Sequence, residues 1–140
     1  MSHISTLPIT GRCLCGDIKF QITQQPRKMG LCFCRSCQIK SGSDHIAFIS
    51  VEVDAANIDG PIKWYQAVGD SGKPKRHGFC PNCGTNLFGK PDLWPHILIV
   101  YAGALDNPTV YKPAINIWLE DAPAWACVDT NLPKFNKNPG

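Results

Sequence analysis

The chain of 140 residues carries a formal net charge of +3, and 44% of its residues are hydrophobic and 18% charged. These values are typical of a single globular domain and exclude a disordered tail or a fibrous repeat. Because the lysines and arginines are scattered and form no stripe, no nucleic-acid partner is expected. No stretch approaches the roughly 20 apolar residues of a membrane span, and the first residues lack the pattern of a signal peptide. We therefore expect a cytoplasmic protein without a membrane partner.

Glycine and proline, 12 of each, are spread along the chain and predict short segments in a mainly β or loop-rich architecture. Alternating polarity or dense β-forming composition predicts strands at residues 17–23, 45–53, 62–66, 85–88, 95–101 and 114–119. The strand at 95–101 is expected to be buried on both faces. Helical turns are predicted at residues 38–42 and 105–108, and an exposed hairpin tip at 69–74.

The end of the chain differs in composition from the rest. Residues 127–140 are rich in proline and polar side chains and predict an irregular tail. The sequence therefore predicts a single domain over residues 1–140, with its core at about residues 11–126.

Seven of the eight cysteines fall into three short clusters. In a reducing compartment, clustered thiols indicate metal ligands or a redox centre before they indicate disulfides. Cys80 and Cys83, followed by Gly84, have the form of a zinc knuckle, in which a tight turn directs backbone N–H groups at both sulfurs. A redox C-x-x-C motif would be followed by a helix, whereas a turn into a strand is predicted here.

A structural zinc ion needs four ligands, of which Cys80 and Cys83 supply two. Cys13 and Cys15 are the best source of the other two, because side chains two residues apart in an extended chain point to the same side. Four thiolates leave no open coordination position, so this site is predicted to stabilise the fold. The alternative is a set of four reduced thiols in the core.

Cys32, Cys34 and Cys37 form a C-x-C-x-x-C pattern that offers three thiolates. Three protein ligands and one open position are typical of a catalytic zinc ion. Zinc binds thiolates readily, so the pattern indicates a substrate that carries a thiol. The alternative is a second structural site, closed by a histidine or by Cys127.

Several further residues are candidates for roles near these sites. Arg35 and Lys40 could offset the charge of three thiolates or receive a substrate carboxylate. His45 is the best catalytic candidate among the histidines because it follows the metal loop, and Cys127 is expected to be a small buried hydrophobe. The remaining histidines are expected on the surface or packed, and the tryptophans in the core or as pocket walls: His3, His77, His96, Trp64, Trp94, Trp118 and Trp125.

The three cysteine clusters lie within longer segments, and a fourth segment follows them in the chain. The four are GRCLCGDIKF at 11–20, CFCRSCQIKSGS at 32–43, FCPNCGTNLF at 79–88 and INIWLEDAPAWA at 115–126. Together these segments resemble the glutathione-dependent formaldehyde-activating enzyme family, which includes the centromere protein V group. The resemblance implies an Mss4-like folded-over β-sheet structure stapled by zinc. It also implies two Zn²⁺ ions per chain, a structural ion on Cys13, Cys15, Cys80 and Cys83 and a catalytic ion on Cys32, Cys34 and Cys37.

Two positions depart from the family pattern. Phe33 stands where many members have histidine between the first two cysteines of the middle cluster, and Asn116 stands where many have histidine before the Ile-Trp pair. If either histidine moves protons in the typical enzyme, this chain would handle another substrate or use another base.

The sequence thus leads to two hypotheses. The first is a zinc-dependent carbon–sulfur lyase, similar to S-(hydroxymethyl)glutathione synthase, that acts on an adduct of glutathione or a similar thiol with formaldehyde or another small carbonyl. Its proton donor is not identified by the sequence. The second is a non-catalytic zinc-stapled binding module with two structural metal sites, which a saturated second zinc ion would favour.

Overall fold

The computed structural model describes residues 7–68 and 72–139, and within them the chain is mainly β, as predicted. A three-stranded sheet consists of β1 (Ile9–Arg12), β2 (Lys19–Ile22) and β5 (Ala56–Asp59), in that spatial order. A seven-stranded sheet consists, in spatial order, of β10 (Ile115–Ile117), β3 (Lys28–Cys32), β4 (Ile46–Glu52), β9 (Ile97–Tyr101), β8 (Asn86–Pro91), β7 (Pro74–Phe79) and β6 (Lys63–Val68). The pairs are antiparallel except for β10, which runs parallel to β3.

The small sheet folds over one face of the large sheet, and the main hydrophobic core lies between them. Phe20 of β2 meets Phe88 of β8 edge to face, with ring centroids 5.3 Å apart. Leu98 and Val100 of β9 also lie in this core. Because side chains alternate along a strand, the neighbouring residues of β9 point to the opposite face of the sheet.

The opposite face of the large sheet carries a second, smaller cluster around the three cysteines of the middle motif. Tyr101 of β9 and Ile46 and Phe48 of β4 belong to this cluster. β9 is therefore buried on both faces, as its composition predicted.

The six predicted strands are all present, with shifts of a few residues at their ends. The strands β1, β3, β5 and β7 were not predicted, because sequences such as KMGLC and PKRHGF lack clean alternation and contain glycine, proline or charge. Strand pairing within the sheet overrides this weak local preference. Of the predicted hairpin tip, residues 69–71 lie outside the described residues; β7 begins at Pro74.

The prediction for helices was half correct. One α-helix, α1 (Arg35–Ser41), covers the predicted turn but begins three residues earlier, because the Cys34 sulfur accepts the N–H of Cys37 and caps it. Residues 105–107 are not helical, and short 3₁₀ turns lie on either side at Ala102–Ala104 and Pro108–Val110. Among the described residues, no helix has the length and apolar character needed to span a bilayer.

The C-terminal segment is irregular, as predicted, but it is attached to the sheet. The N–H of Asn116 donates to Pro133 O at 2.9 Å, and the N–H of Phe135 donates to Asn116 O at 2.9 Å. Phe135 packs against the cluster around the middle cysteines. The packed structure therefore extends beyond residue 126 and covers the outer edge of β10.

The contact between β10 and β3 requires a glycine at position 30. A Cβ atom there would lie 2.7 Å from Ile115 Cγ1 and 2.9 Å from Ile115 O, whereas a Cβ atom at Gly103 would meet nothing within 4 Å. We expect Gly30→Ala to lower the free energy of unfolding by about 1–3 kcal/mol through overpacking. The matched control, Gly103→Ala, should change it by less than about 0.5 kcal/mol in the same urea titration. Equal effects of the two substitutions would contradict this packing.

Candidate metal centres and the adjoining cavity

The first candidate metal centre brings together Cys13, Cys15, Cys80 and Cys83, whose sulfur atoms all lie within 4.8 Å of one another. Cys13 Sγ and Cys15 Sγ are 3.6 Å apart, and Cys15 Sγ and Cys80 Sγ are 3.7 Å apart. In a tetrahedral site with Zn–S bonds of about 2.3 Å, neighbouring sulfurs are separated by about 3.8 Å. The donor set and its spacing therefore fit a tetrahedral zinc ion.

Backbone turns direct N–H groups at these sulfurs. The N–H of Ile18 donates to Cys13 Sγ at 3.3 Å, and the N–H of Cys83 donates to Cys80 Sγ at 3.5 Å. Gly84 closes the second turn by donating its N–H to Cys80 O at 2.8 Å, with a positive φ of 78° that glycine adopts at little cost. This is the geometry that the sequence predicted for a knuckle.

Thr85 joins the two halves of this centre, and the sequence analysis missed it. Its Oγ1 accepts the N–H of Leu14 at 3.0 Å and lies 3.1 Å from Cys83 Sγ. The hydrogen bond from Thr85 lowers the pKa of the Cys83 thiol to about 5. Cys83 is therefore prepared to bind a cation as a thiolate.

The second candidate metal centre consists of Cys32, Cys34 and Cys37, whose sulfurs also lie within 4.8 Å of one another. Cys32 ends β3, Cys34 precedes α1, and Cys37 lies in the first turn of that helix. The N–H of Cys37 donates to Cys34 Sγ at 3.4 Å, and Ser36 Oγ lies 3.2 Å from the same sulfur. Three buried thiolates in this arrangement fit a zinc ion that takes its fourth ligand from outside the chain.

Hydrogen bonds within this cluster favour the first negative charge on one sulfur. Hydrogen bonds from Cys32 and Cys37 hold the pKa of Cys34 far below that of a free thiol. The hydrogen bond with Cys34 raises the pKa of Cys32, and the hydrogen bond with Cys32 raises the pKa of Cys37. Hydrogen bonding within the cluster therefore favours the charged form of the Cys34 sulfur.

No fourth protein ligand joins the three middle cysteines within the part of the chain that the structure describes. Cys127, one candidate for that role, is exposed, and its backbone N–H donates to Asp44 Oδ2 at 3.0 Å. The prediction that Cys127 is a small buried hydrophobe was therefore wrong. It lies in an irregular segment that packs by backbone hydrogen bonds and not by its side chain.

A cavity of about 320 Å³ adjoins the second centre, within the size range of small-molecule sites. Its walls are mainly apolar side chains of the large sheet, together with Trp94, Tyr101 and Trp118. Four cationic side chains also line it: Arg27, Lys28, Lys73 and Lys75. The charge of Lys75 acts on Cys37 and favours its thiolate, although burial and the neighbouring sulfurs leave the pKa of Cys37 raised. The cavity thus combines cysteine sulfurs, apolar walls and positively charged side chains.

The residues that the sequence singled out beside the middle cysteines do not line this cavity. Arg35 donates to the side-chain oxygen of Gln38 on its own helix, and Lys40 Nζ lies 5.6 Å from the centroid of the Phe79 ring. His45 Nδ1 lies 2.6 Å from Asp44 Oδ1. These side chains contact partners outside the cavity lining.

Phe33 and Asn116, the two departures from the family pattern, are fully buried and do not line the cavity either. The Phe33 ring packs on the His45 ring with centroids 5.5 Å apart. Asn116 Nδ2 donates to Asp129 O at 2.9 Å, while its Oδ1 has no hydrogen-bond partner. Because Ile115 and Ile117 face the cavity, the intervening Asn116 points the other way.

The tryptophans fulfil the prediction of core residues only in part. Trp64 packs against Phe88 with ring centroids 6.4 Å apart, and Trp118 is half-buried. Trp94 and Trp125 are exposed, so their assignment to the core was wrong. Trp94 and Trp118 are pocket walls, the other role considered for these residues.

Sequence reasoning also missed a buried pair beside the cavity, formed by His77 of β7 and Tyr101 of β9. His77 Nδ1 lies 3.1 Å from the Tyr101 hydroxyl. Burial, with the nearby charges of Lys75 and Lys40, lowers the pKa of His77 to about 4. Burial likewise raises the pKa of Tyr101 above its usual value. The alternation Ile97, Ile99, Tyr101 was the available signal for the tyrosine, since all three line the cavity.

The structure is a small β protein with one group of four cysteines and one group of three that could each hold a metal ion, and the group of three adjoins a cavity. The family model described as glutathione-dependent formaldehyde-activating enzyme matches residues 8–121. The chain belongs to this family, as the cysteine motifs indicated. Its second centre, beside the cavity, lies within the matched region.

Individual relatives agree with this assignment. A Halomonas elongata protein, named as a candidate glutathione-dependent formaldehyde-activating enzyme, is 26% identical over 128 residues, covering 87% of this chain and 82% of that protein. An uncharacterised lyase of Schizosaccharomyces pombe is 28% identical over 78 residues, covering 56% of this chain and 54% of that protein. A crystal structure of a Rhodobacter sphaeroides protein, 19% identical, matches with a TM-score of 0.57 over 71% of this chain and 92% of that one, and shows a shared fold.

The geometry of the two centres predicts the stoichiometry of metal binding. We expect Co²⁺, added to metal-free reduced protein, to saturate at two ions per chain with the absorption of tetrahedral cobalt thiolates, because two groups of sulfurs converge. Cys34→Ser, which should remain folded, should weaken or remove one of these ions, whereas the control Cys127→Ser should bind both. Saturation at two ions in Cys34→Ser with an unchanged spectrum, or a disulfide between Cys80 and Cys83 in protein purified without chelator, would contradict the prediction.

Proposed function

We propose that this chain is a zinc-dependent carbon–sulfur lyase of the S-(hydroxymethyl)glutathione synthase type. It would form or break the bond between the sulfur of glutathione and the carbon of formaldehyde. The observation that carries the proposal is the position of three convergent thiolates, Cys32, Cys34 and Cys37, in the wall of a cavity of about 320 Å³. Membership of the family supports the choice of substrates.

Each cysteine group has a separate role in this proposal. Cys13, Cys15, Cys80 and Cys83 would hold a structural Zn²⁺ with four thiolates and no position for substrate. The three middle cysteines would hold a catalytic Zn²⁺ that, when bound, stabilises a substrate thiolate as a Lewis acid. Reduced thiols in both groups suit a reducing compartment such as the cytoplasm.

The cationic side chains of the cavity would recognise the carboxylates of glutathione. Lys75, on β7, is half-buried and close enough to influence the charge of Cys37. Lys28, at the start of β3, also lines the cavity. Arg27 already forms an ion pair with Glu52, at 2.6 Å, and is less available to a substrate carboxylate. A flexible thiol with two carboxylates could therefore place its sulfur at the cysteines and its charges at the lysines.

The chain's own residues would otherwise bind and shield the reactants. The apolar side chains Ile46, Phe48 and Ile117 surround the middle cysteines and limit the access of water to them. A water-poor wall strengthens the electrostatic interactions made inside it.

Exchange between free formaldehyde and S-(hydroxymethyl)glutathione, followed by two-dimensional exchange NMR with ¹³C-formaldehyde, tests this function. We expect the zinc-loaded protein to accelerate the exchange, and Cys34→Ser to lose the acceleration while remaining folded. Cys83→Ser should unfold or aggregate, because structural zinc binding contributes on the order of 10 kcal/mol to folding in small domains. The control Cys127→Ser should behave as wild type.

Two outcomes would contradict the proposal. Wild-type protein with both metal sites filled and no acceleration of exchange would exclude the lyase. Equal loss of thermal stability in Cys34→Ser and Cys83→Ser would favour a binding module with two structural metal sites.

The carboxylate assignment predicts a specific effect of one lysine. Lys75→Gln should weaken glutathione binding about tenfold, the usual effect of losing one hydrogen bond to a charged group. The control Lys63→Gln, an exposed lysine on β6, should leave the affinity unchanged. Isothermal titration at two salt concentrations measures both. An unchanged affinity in Lys75→Gln would show that the carboxylates are bound elsewhere.

A further inference from the structure

Tyr101 places a hydroxyl group beside the three middle cysteines. It is the last residue of β9, is only 7% exposed, and packs in one cluster with Cys32, Cys34 and Cys37. It also lines the cavity. The proposed reaction develops negative charge on an oxygen atom one bond from the carbon that the sulfur attacks, so a hydrogen-bond donor is needed close to the thiolates.

The Tyr101 hydroxyl is held from the neighbouring strands. Gly89 of β8 lies between β9 and β7, and because it has no side chain the Tyr101 hydroxyl reaches His77 across it. The His77 Nδ1 atom is 3.1 Å from that hydroxyl, and a Cβ atom at Gly89 would be only 3.2 Å from it. Lys75 Cε would lie 3.4 Å from the same Cβ position, so the lysine stem flanks the hydroxyl as well.

The pair can orient the phenolic hydrogen. A neutral histidine has one N–H donor, and when it resides on Nδ1 it donates to the Tyr101 oxygen. The phenolic hydrogen is then free to point into the cavity. Burial, together with the nearby lysine charges, keeps His77 neutral and so preserves this arrangement.

We propose that the Tyr101 hydroxyl is the hydrogen-bond donor for the substrate oxygen, with His77 as the residue that positions it. The proposal rests on the proposed function and supplies the oxygen-binding group that the cysteines lack. As the carbon–sulfur bond forms, the π-electron pair of the carbonyl moves to oxygen, and the proton lost by the thiol ends on that oxygen by way of solvent. Tyr101 stabilises the oxygen throughout and has no net loss of its proton.

A binding cycle tests this without requiring turnover. The two ligands are S-(hydroxymethyl)glutathione, kept formed by excess formaldehyde, and S-methylglutathione, which lacks the oxygen and is titrated in the same formaldehyde concentration. Wild-type zinc-loaded protein should bind the hydroxymethyl adduct about tenfold more tightly, the worth of one hydrogen bond. Tyr101→Phe should bind both ligands with the affinity that wild type has for S-methylglutathione.

Matched variants separate this role from a structural one. Tyr111→Phe also removes a hydroxyl, on a half-buried tyrosine that donates to Gly30 O outside the cavity lining, and should keep the tenfold preference. His77→Asn retains an N–H near the Nδ1 position and should keep most of the preference, whereas His77→Leu should lose it. In the exchange assay, Tyr101→Phe should lower kcat about 100-fold, as expected for a lost oxyanion donor, and should raise the KM for S-(hydroxymethyl)glutathione in line with its weaker binding.

The results distinguish the inference from the proposed function. Equal preference for the hydroxymethyl adduct in wild type and Tyr101→Phe, or no preference in wild type, overturns the role of Tyr101 even if the protein accelerates exchange. A preference that disappears in Tyr101→Phe supports the oxygen site even if no exchange is accelerated, in which case the lyase proposal alone fails. Loss of the preference in Tyr111→Phe also overturns the inference.

Discussion

The convergence of four sulfurs from two distant turns is the constraint on which the rest of the structure depends. One turn joins β1 to β2 and the other joins β7 to β8, so the cluster fastens the small sheet to the hairpin of the large one. Closing this loop costs chain entropy, which metal binding and the hydrogen bond from Leu14 to Thr85 can offset. The position of β7 follows from that attachment, and β7 carries both Lys75 and His77.

The alternation of side chains along the central strands determines which residues form the site. On β4 and β9 one set of side chains enters the core beneath the small sheet, and the other set surrounds the middle cysteines. A register shift of one residue would exchange the two sets, so the packing of the core specifies which side chains face the cavity. Burial and chemistry are therefore fixed by the same registers, such as Phe48 opposite Tyr101.

How far the sequence could predict this structure depends on whether the signal was local. The cysteine groups were predictable because turn residues and spacing specify them, and β9 was predictable from its dense run of β-forming residues. β3 and β7 were not, since their pairing depends on neighbours far away in the chain. The same limit hid Lys75 and His77, which belong to the site only because β7 is brought across β8. Arg35 and His45 were singled out for being close in sequence to the cysteines, but neither side chain lines the cavity.

Phe33 and Asn116, the two departures from the family pattern, are both fully buried. Asn116 lies on the face of β10 away from the cavity, and Phe33, which follows β3, is buried against His45 outside the cavity lining. Neither is therefore placed to exchange a proton with a ligand held by the middle cysteines. Asn116 instead binds Asp129 O in the C-terminal segment. That segment continues to Asn138, which accepts the indole N–H of Trp118 at 3.0 Å, and both of these residues line the cavity. A change at position 116 would therefore affect the cavity through the packing of the C-terminal segment. Such a substitution would alter the shape of the cavity, whereas the reactive groups are supplied by side chains on the other face of the sheet.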